Sequence, residues 1–307
     1  MKWQKEKLRA LIKERGLTHD RLAEEIGVSR QTVASWFAGQ VPKGLHLMKL
    51  WSMLDLAPGS LFLDDTPHYV TRAMYHTTGA ETRQESVRRE TEALIARYVG
   101  FFTKKDTSPL QHAILSRDAG MAKSLSIVFR KMMGLQDGVL PSLLDILALM
   151  AKLDVCVIPR SFPKAISADA FFVTINFKRV IFVDRRCKAF DLAKSLVHES
   201  VHAMRPTIAE DADDAEVEKE EKFCEDVVRQ TCAGRGAPSE QTLESMMFCM
   251  GEVCQFVCFL EKYFPVWYAI LKENADSLTA SRMAEVLDMP QTDASAFVKC
   301  ISRDFIL

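Results

Sequence analysis

The chain has 307 residues, of which 48% are hydrophobic and 26% are charged, and its formal net charge is −1. This composition excludes a disordered or fibrous protein, and the length predicts two or three domains with buried cores. No apolar run approaches the roughly 18 residues of a membrane-spanning helix, so we expect no membrane contact. The N-terminus lacks the apolar core of a signal peptide and the eight cysteines fit reduced thiols, which predicts a cytoplasmic protein.

The near-zero net charge is the sum of opposed segments. Residues 1–62 contain ten lysines and arginines against six acidic residues, whereas residues 210–226 contain ten acidic residues and two lysines. Such an asymmetry indicates a basic interaction surface at the N-terminus and an acidic segment with a different role.

The order of the predicted elements indicates a multidomain, mainly α-helical protein. Residues 1–63 predict an all-α domain, and residues 64–137 predict a linker and a helical connector. Residues 138–240 contain an apolar helix, β-prone runs and further helices, which is typical of an α+β domain with a small sheet. Residues 241–307 predict a helical C-terminal region.

Two short helices with capping residues dominate the N-terminal domain. Thr18 is a typical cap for a helix that ends at Gly27, and Ser29 is a cap for a second helix that ends at Gly39. Two helices joined by a tight glycine-containing turn predict a helix-turn-helix. The string LTHDRLAEEIGVSRQTVASWFAGQ resembles the Xre family of phage-repressor-like DNA-binding domains, and the resemblance covers about residues 4–62.

This resemblance implies that the second helix enters the major groove of double-stranded DNA. The side chains on its outer side are then the candidate DNA contacts: Arg30, Gln31, Thr32 and Ser35. A small helical bundle with a merely solvated polar surface is one alternative, and a protein-docking module is another. One such unit binds DNA weakly, so a homodimer or a second contact is expected.

A metal-binding pattern, HESVH, lies further along the chain. His198 and His202 are four residues apart, so both imidazoles share one helical face and can reach one Zn²⁺ ion. Glu199 is placed to take a proton from a water molecule that the metal activates. A catalytic zinc needs a third protein ligand, and a later acidic helix offers three glutamates along one face: Glu218, Glu221 and Glu225. A chance histidine pair and a solvated acidic face are the alternatives.

The strand IFVD, the helix DLAKSLVHESVHAM and the later acidic helix together resemble the ImmA/IrrE family of zinc metallopeptidases over about residues 138–240. The resemblance implies a zincin-like peptidase domain with zinc as its cofactor, Glu199 as the catalytic residue and Glu221 as the third metal ligand beside His198 and His202. Two positions depart from the family pattern: Cys224 stands at a small-residue position, and Glu225 stands where the family usually has asparagine.

Two features of the C-terminal region allow a functional interpretation. Cys249, Cys254 and Cys258 are spaced closely enough to suggest a second metal site, although buried small residues in a methionine-rich core are favoured. Residues 278–297 align without gaps to residues 17–36 with five identities. This similarity predicts a degenerate second helix-turn-helix, and a chance likeness between two amphipathic helix pairs is the alternative.

These patterns predict a transcription regulator that joins DNA binding to zinc-dependent proteolysis. By resemblance, such a peptidase cleaves a helix-turn-helix repressor after stress, DNA damage or a phage-related signal. One alternative is a DNA-binding repressor whose peptidase-like domain is a sensor or docking platform without turnover. Another is an antitoxin-like protein that forms a stable complex with a partner.

Overall fold

The computed structural model describes residues 3, 5–42, 46, 49–50, 53–54, 69–71, 81–102, 117–176, 178–205, 214–248, 252–275 and 278–302. The described residues up to 54 form one compact unit, and those from 69 onward form a second. Among the described helices, none combines the length and the apolar character that crossing a bilayer requires.

The first unit contains the helices α1 (Lys5–Glu14), α2 (His19–Ile26) and α3 (Arg30–Ala38). Thr18 and Ser29 cap α2 and α3, and each side-chain oxygen accepts a hydrogen bond from the backbone N–H three residues later, at 3.2 and 3.1 Å. Gly27 and Gly39 end these helices in the left-handed region, with φ of 80° and 117°. The predicted caps and helix ends are therefore confirmed.

A small apolar core holds the three helices together. Leu8, Leu22 and Val33 come from α1, α2 and α3 and are completely buried. The indole Nε1 of Trp3 donates a hydrogen bond of 2.8 Å to the carbonyl of Trp36, which ties the start of the chain to α3. The outer side of α3 faces solvent, with Arg30, Gln31 and Ala34 exposed.

The second unit contains a mixed sheet of the strands β1 (Tyr69–Thr71), β2 (Cys156–Arg160), β3 (Ala170–Ile175) and β4 (Lys178–Asp184). The strand order is β1-β3-β4-β2, with β3 antiparallel to both neighbours and β2 parallel to β4. The predicted hairpin within 170–184 is confirmed. Residues 69–71 correct the assignment of 64–137 as linker and helical connector, because β1 pairs with β3 as an edge strand.

The helices of the second unit have the following bounds: α4 Glu81–Ala96, α5 Ala119–Met133, α6 Leu143–Lys152, α7 Ala189–Ala203, α8 Asp214–Thr231, α9 Leu243–Phe248, α10 Val253–Tyr263, α11 Pro265–Asn274, α12 Ala280–Leu287 and α13 Gln291–Ser302. Helix α7 packs on β3 and β4, and α8 packs on α7 and α5. The sheet therefore supports α7, and α7 supports α8.

Tyr98 connects three parts of the second unit. Its buried hydroxyl donates a hydrogen bond of 2.9 Å to the carbonyl of Val286 in α12 and accepts one of 2.8 Å from Arg160 at the end of β2. The surrounding apolar residues belong to one continuous core. The described parts of the predicted connector, of residues 138–240 and of the C-terminal region therefore share that core.

The pair α12 and α13 repeats the backbone of α2 and α3. Thr279 accepts a hydrogen bond of 3.2 Å from the backbone N–H three residues later, as Thr18 does. Asp288 ends α12 with φ 54° at the position where Gly27 ends α2. In both pairs the backbone N–H of the following residue donates a hydrogen bond to the carbonyl five residues earlier. The distance is 3.1 Å from Met289 in the C-terminal pair and 2.9 Å from Val28 in the N-terminal pair. The similarity predicted from the sequence thus extends to the hydrogen bonds that shape the turn.

We expect Tyr98→Phe to lower the free energy of unfolding by about 1–3 kcal/mol, because a buried carbonyl loses its donor and Arg160 loses one acceptor. Urea unfolding followed by circular dichroism measures the change. Tyr263→Phe, which removes a hydroxyl from a half-buried ring, is the matched control and should change stability by less than about 0.5 kcal/mol. Equal unfolding midpoints for both variants would show that the Tyr98 hydroxyl does not hold these segments together.

Candidate functional site

Helix α7 places the two histidines of the HESVH segment beside each other. The face of α7 that packs on the sheet contains Leu192, Leu196 and Val197, which are completely buried. His198 and His202 lie at the edge of that face and are half-buried. Their Nε2 atoms are 3.1 Å apart. The helical repeat therefore brings both imidazoles to one point, as the spacing predicts.

Helix α8 supplies a carboxylate to the same point. Glu221 Oε2 lies 3.1 Å from His198 Nε2, and its Oε1 lies 3.4 Å from His202 Nε2. Glu218 and Glu225, the two other glutamates that the spacing left open, are exposed to solvent. Of the three candidates, the structure brings only Glu221 to the histidines.

The distances between these donor atoms suit a single metal ion. In a tetrahedral zinc site with bonds of about 2.0–2.1 Å, neighbouring nitrogen and oxygen ligands lie about 3.4 Å apart. The separations among His198, His202 and Glu221 are 3.1, 3.1 and 3.4 Å. The residues present thus fit the metal that the family resemblance implies.

A cysteine lies beside this cluster. The Sγ atom of Cys224 is 3.7 Å from His202 Nε2 and 3.8 Å from His202 Nδ1, so it lies beside the imidazole ring, and the residue is completely buried. Ligand atoms of His198, His202 and Cys224 all lie within 4.8 Å of one another, so these three side chains form a cluster that is able to bind a metal. The available sequence signal was the position of Cys224 one turn after Glu221, on the same face of α8.

A second carboxylate on α8 lies behind His202. Glu220 is buried, and its Oε1 accepts a hydrogen bond of 2.6 Å from Arg205 Nε. Its Oε2 is 2.7 Å from Arg117 Nε, and its Oε1 is 3.7 Å from His202 Nδ1. A carboxylate in this position fixes the orientation of a metal-binding imidazole and stabilises a positive charge on that ring. Sequence reasoning missed Glu220, because a run of acidic residues does not show which of them is buried.

The pKa values show that the cluster prefers a positive charge at its centre. Burial acts to raise the pKa of Glu221, but His198 and His202 outweigh burial and hold this pKa well below its usual value. Burial acts to lower the pKa of His202, but Cys224, Glu220 and Glu221 together raise it well above its usual value. A cation between the two helices, whether a proton or a metal ion, is therefore strongly stabilised.

Glu199 is oriented by the sheet. Its Oε2 accepts a hydrogen bond of 2.9 Å from the backbone N–H of Phe172 in β3. Burial raises the pKa of Glu199 above its usual value, although the neighbouring histidines and this hydrogen bond act to lower it. A carboxyl group with a raised pKa is suited to take up a proton and then release it.

The predicted DNA contacts on α3 fall into two pairs. Arg30 and Gln31 are exposed, and the ion pair of 3.2 Å between Arg30 and Asp20 is solvent-accessible and therefore weak. Thr32 and Ser35 are half-buried, and the Ser35 hydroxyl donates a hydrogen bond of 2.7 Å to the Thr32 carbonyl. The outer surface of α3 is thus presented mainly by Arg30 and Gln31, whose side chains are long enough to reach a phosphate or a base edge.

The suggested second metal site receives no support from the described residues. Cys254 and Cys258 are exposed rather than buried, and Cys254 Sγ lies 3.7 Å from Cys300 Sγ. Cys249 lies outside the described residues. The ligand clusters seen among the described residues involve His198 and His202, and none of them includes Cys254 or Cys258.

A family model described as helix-turn-helix matches residues 8–59. The comparison with curated proteins and the comparison with solved structures each gave no match. The matched segment contains α2, its turn and α3, so the chain has an N-terminal helix-turn-helix of the Xre type. This match indicates a DNA-binding transcription regulator.

We expect Arg30→Ala to weaken binding to duplex DNA and to lower the slope of log affinity against log salt by about 0.9, because one phosphate contact is lost. Fluorescence anisotropy between low and moderate salt measures this slope. Lys13→Ala removes the same charge from an exposed position on α1 and should leave the slope nearly unchanged. Equal losses in both variants would mean that net charge, not α3, determines binding.

Proposed function

We propose that this transcription regulator joins DNA binding to zinc-dependent hydrolysis of a peptide bond. The observation that carries the proposal is the convergence of His198, His202 and Glu221, with donor atoms 3.1–3.4 Å apart and Glu199 next to the first histidine. The resemblance of residues 138–240 to the ImmA/IrrE family of zinc metallopeptidases supports the same reaction.

His198, His202 and Glu221 would hold the zinc ion, and Glu220 would keep the His202 ring in place through its contact with Nδ1. Bound zinc supplies a Lewis acid that polarises the scissile carbonyl and increases the acidity of water. Arg205 holds Glu220 by a hydrogen bond of 2.6 Å, so the orienting carboxylate is itself fixed.

Glu199 has the role of general base and then general acid. Its carboxylate takes the proton of the attacking water and delivers it to the departing amine, so one group serves both proton transfers. The hydrogen bond from Phe172 fixes one carboxylate oxygen on β3, which leaves the other oxygen for the proton. The sheet thus positions the base relative to the metal ligands on α7.

The substrate we propose is a helix-turn-helix repressor protein, cleaved after stress, DNA damage or a phage-related signal. This part of the proposal is supported by the family resemblance and by the presence of a helix-turn-helix in the chain. The first unit would bring the enzyme to double-stranded DNA or to the repressor. Because one helix-turn-helix binds DNA weakly, a homodimer is the proposed DNA-binding form.

A second candidate function is a regulator whose metal centre is a sensor or docking platform without turnover. The cluster of His198, His202 and Cys224, whose ligand atoms all lie within 4.8 Å of one another, favours this candidate. Structural zinc sites have four protein ligands, whereas catalytic sites keep one position open. The two candidates therefore differ in whether the thiol stays beside the metal.

We expect the purified chain to bind one equivalent of zinc and Glu221→Gln to weaken zinc binding by about 100-fold, because one charged ligand is lost. Competition with a chromophoric chelator measures the affinity. Glu218→Gln removes the same charge from an exposed position of α8 one turn earlier and is the matched control. A similar loss of zinc affinity in both variants would mean that the overall negative charge of the protein causes the effect. Glu221 would then not be a zinc ligand.

We expect Glu199→Gln to reduce repressor cleavage by about 10²–10⁴-fold while zinc content and folding are retained, because proton transfer is lost. Mass spectrometry of a helix-turn-helix repressor encoded by a neighbouring gene, incubated with each variant, measures cleavage. The Glu225→Gln variant, which changes an exposed position on α8, should cleave the repressor as fast as the wild-type chain does. In cells, full derepression by the Glu199→Gln variant would refute the peptidase proposal.

A further inference from the structure

Two cysteines near the ends of α10 and α13 place their sulfur atoms next to each other. Cys254 lies in the first turn of α10 and Cys300 in the last turn of α13, and their Sγ atoms are 3.7 Å apart. We propose that this pair is a redox site, in which a peroxide converts the two thiols into a reversible disulfide that joins α10 to α13. The site does not depend on the metal centre of the proposed function, because it shares no residue with that centre.

The packing between the two helices sets the position of the sulfur atoms. Helix α10 packs on α13, where Phe256 and Phe297 are buried with their ring centroids 5.8 Å apart. Cys254 lies two residues before this aromatic contact, and Cys300 lies three residues after it. The helices therefore run antiparallel here, and both cysteines lie beyond the same end of the aromatic contact. The closeness of the two thiols is thus a consequence of the core.

Only a small movement separates the two thiols from a disulfide. A disulfide bond is about 2.05 Å long, so the two Sγ atoms have to approach by about 1.7 Å. Rotation about the Cα–Cβ bonds moves each sulfur atom between staggered positions. Cys254 is exposed to solvent, so its side chain has room to rotate. Both residues also lie in terminal turns, where helices fray most readily. Side-chain rotation and a small shift of these turns therefore allow the bond to form.

The oxidant that we propose is hydrogen peroxide, and the reaction has two steps. The Cys254 thiolate attacks one peroxide oxygen, the O–O bond breaks, and hydroxide leaves a sulfenic acid on Cys254. The Cys300 thiolate then attacks this sulfur, so the S–S bond forms, the S–O bond breaks and a second hydroxide leaves. The two protons of the original thiols convert both hydroxides to water. Cys254 reacts first because it is exposed, whereas Cys300 is half-buried.

The disulfide ties the C-terminal helix to the rest of the second unit. Helix α10 packs on α6 as well as on α13, so the bond joins the end of α13 to a helix of the main core. The end of α12 is held in a different way, by a hydrogen bond of 2.9 Å from Arg185 to the Asp288 carbonyl. Cys254 and Cys300 are 46 residues apart in the chain, and a cross-link over such a distance restricts the unfolded chain. Oxidation therefore stabilises the folded C-terminal region.

Treatment of the reduced full chain with one equivalent of hydrogen peroxide tests the site. After the remaining thiols are alkylated, digestion with glutamyl endopeptidase and chymotrypsin separates the three cysteines of the segment 249–258, because Glu252 and Phe256 lie between them. Mass spectrometry should find the Cys254 peptide joined to the Cys300 peptide, two hydrogen atoms lighter than the sum of the two. Dithiothreitol should restore both thiols, since an exposed disulfide is readily reduced.

Two serine variants show which thiol of α10 reacts. Cys254→Ser should lose the linkage, whereas Cys258→Ser, which changes another exposed cysteine one turn later on α10, should keep it. We expect peroxide to raise the urea midpoint of unfolding by roughly 1 M in the wild type and in Cys258→Ser, and to leave that of Cys254→Ser unchanged. Circular dichroism spectra equal to that of the wild type show that both variants are folded.

Three results would overturn the inference. Cys254 would be joined to a cysteine other than Cys300, or it would accumulate as sulfinic acid while Cys300 stays alkylated. The third result is a Cys254–Cys300 linkage without any rise of the urea midpoint, which would show that the bond does not restrain α13. Failure of the chain to bind zinc would refute the proposed function and would leave all these outcomes unaffected, so the two proposals fail independently.

Discussion

The packing of α7 between the sheet and α8 determines most of the candidate site. Leu192, Leu196 and Val201 are completely buried and leave α7 no other orientation on β3 and β4. Because a helix repeats every 3.6 residues, this orientation places His198 and His202 together at the boundary with α8. The separation of 3.1 Å between their Nε2 atoms is thus a consequence of core packing. Any side chain that α8 directs to this boundary becomes a neighbour of both histidines.

Two adjacent glutamates of α8 have different roles because each is paired with a different positively charged group. Glu220 and Glu221 are adjacent and buried, yet Glu220 is paired with Arg205 at 2.6 Å, and Glu221 faces the histidines. A buried carboxylate without a partner is very costly, so each must have its own cation. Arginine supplies that charge for Glu220, and protonated imidazole or a metal ion supplies it for Glu221. The strongly acidic segment therefore contains two carboxylates that the fold requires in defined places.

Much of this architecture could be predicted from local sequence patterns. The contacts between segments that are far apart in the chain could not. The caps at Thr18 and Ser29 and the hairpin within 170–184 were predicted, because turn and capping chemistry involve neighbours in sequence. The strand Tyr69–Thr71 was missed, because three residues at a sheet edge pair through their backbone and show no periodicity. The contacts of Tyr98 with β2 and α12 were missed for a related reason, since they join segments far apart in the chain.

The helix pairs α2–α3 and α12–α13 have the same turn geometry but different electrostatics. Arg30 opens the second helix of the first pair, whereas Gln291 occupies the equivalent position of α13, and Asp293 stands where the first pair has Thr32. An acidic first turn repels phosphate, so the first turn of α13 is electrostatically less favourable for a phosphate contact than that of α3. Its α12 is also held in the core of the second unit by the hydrogen bond from Tyr98. Cap and turn chemistry therefore specify the fold of both pairs, whereas the charge of the first turn of the second helix differs between them.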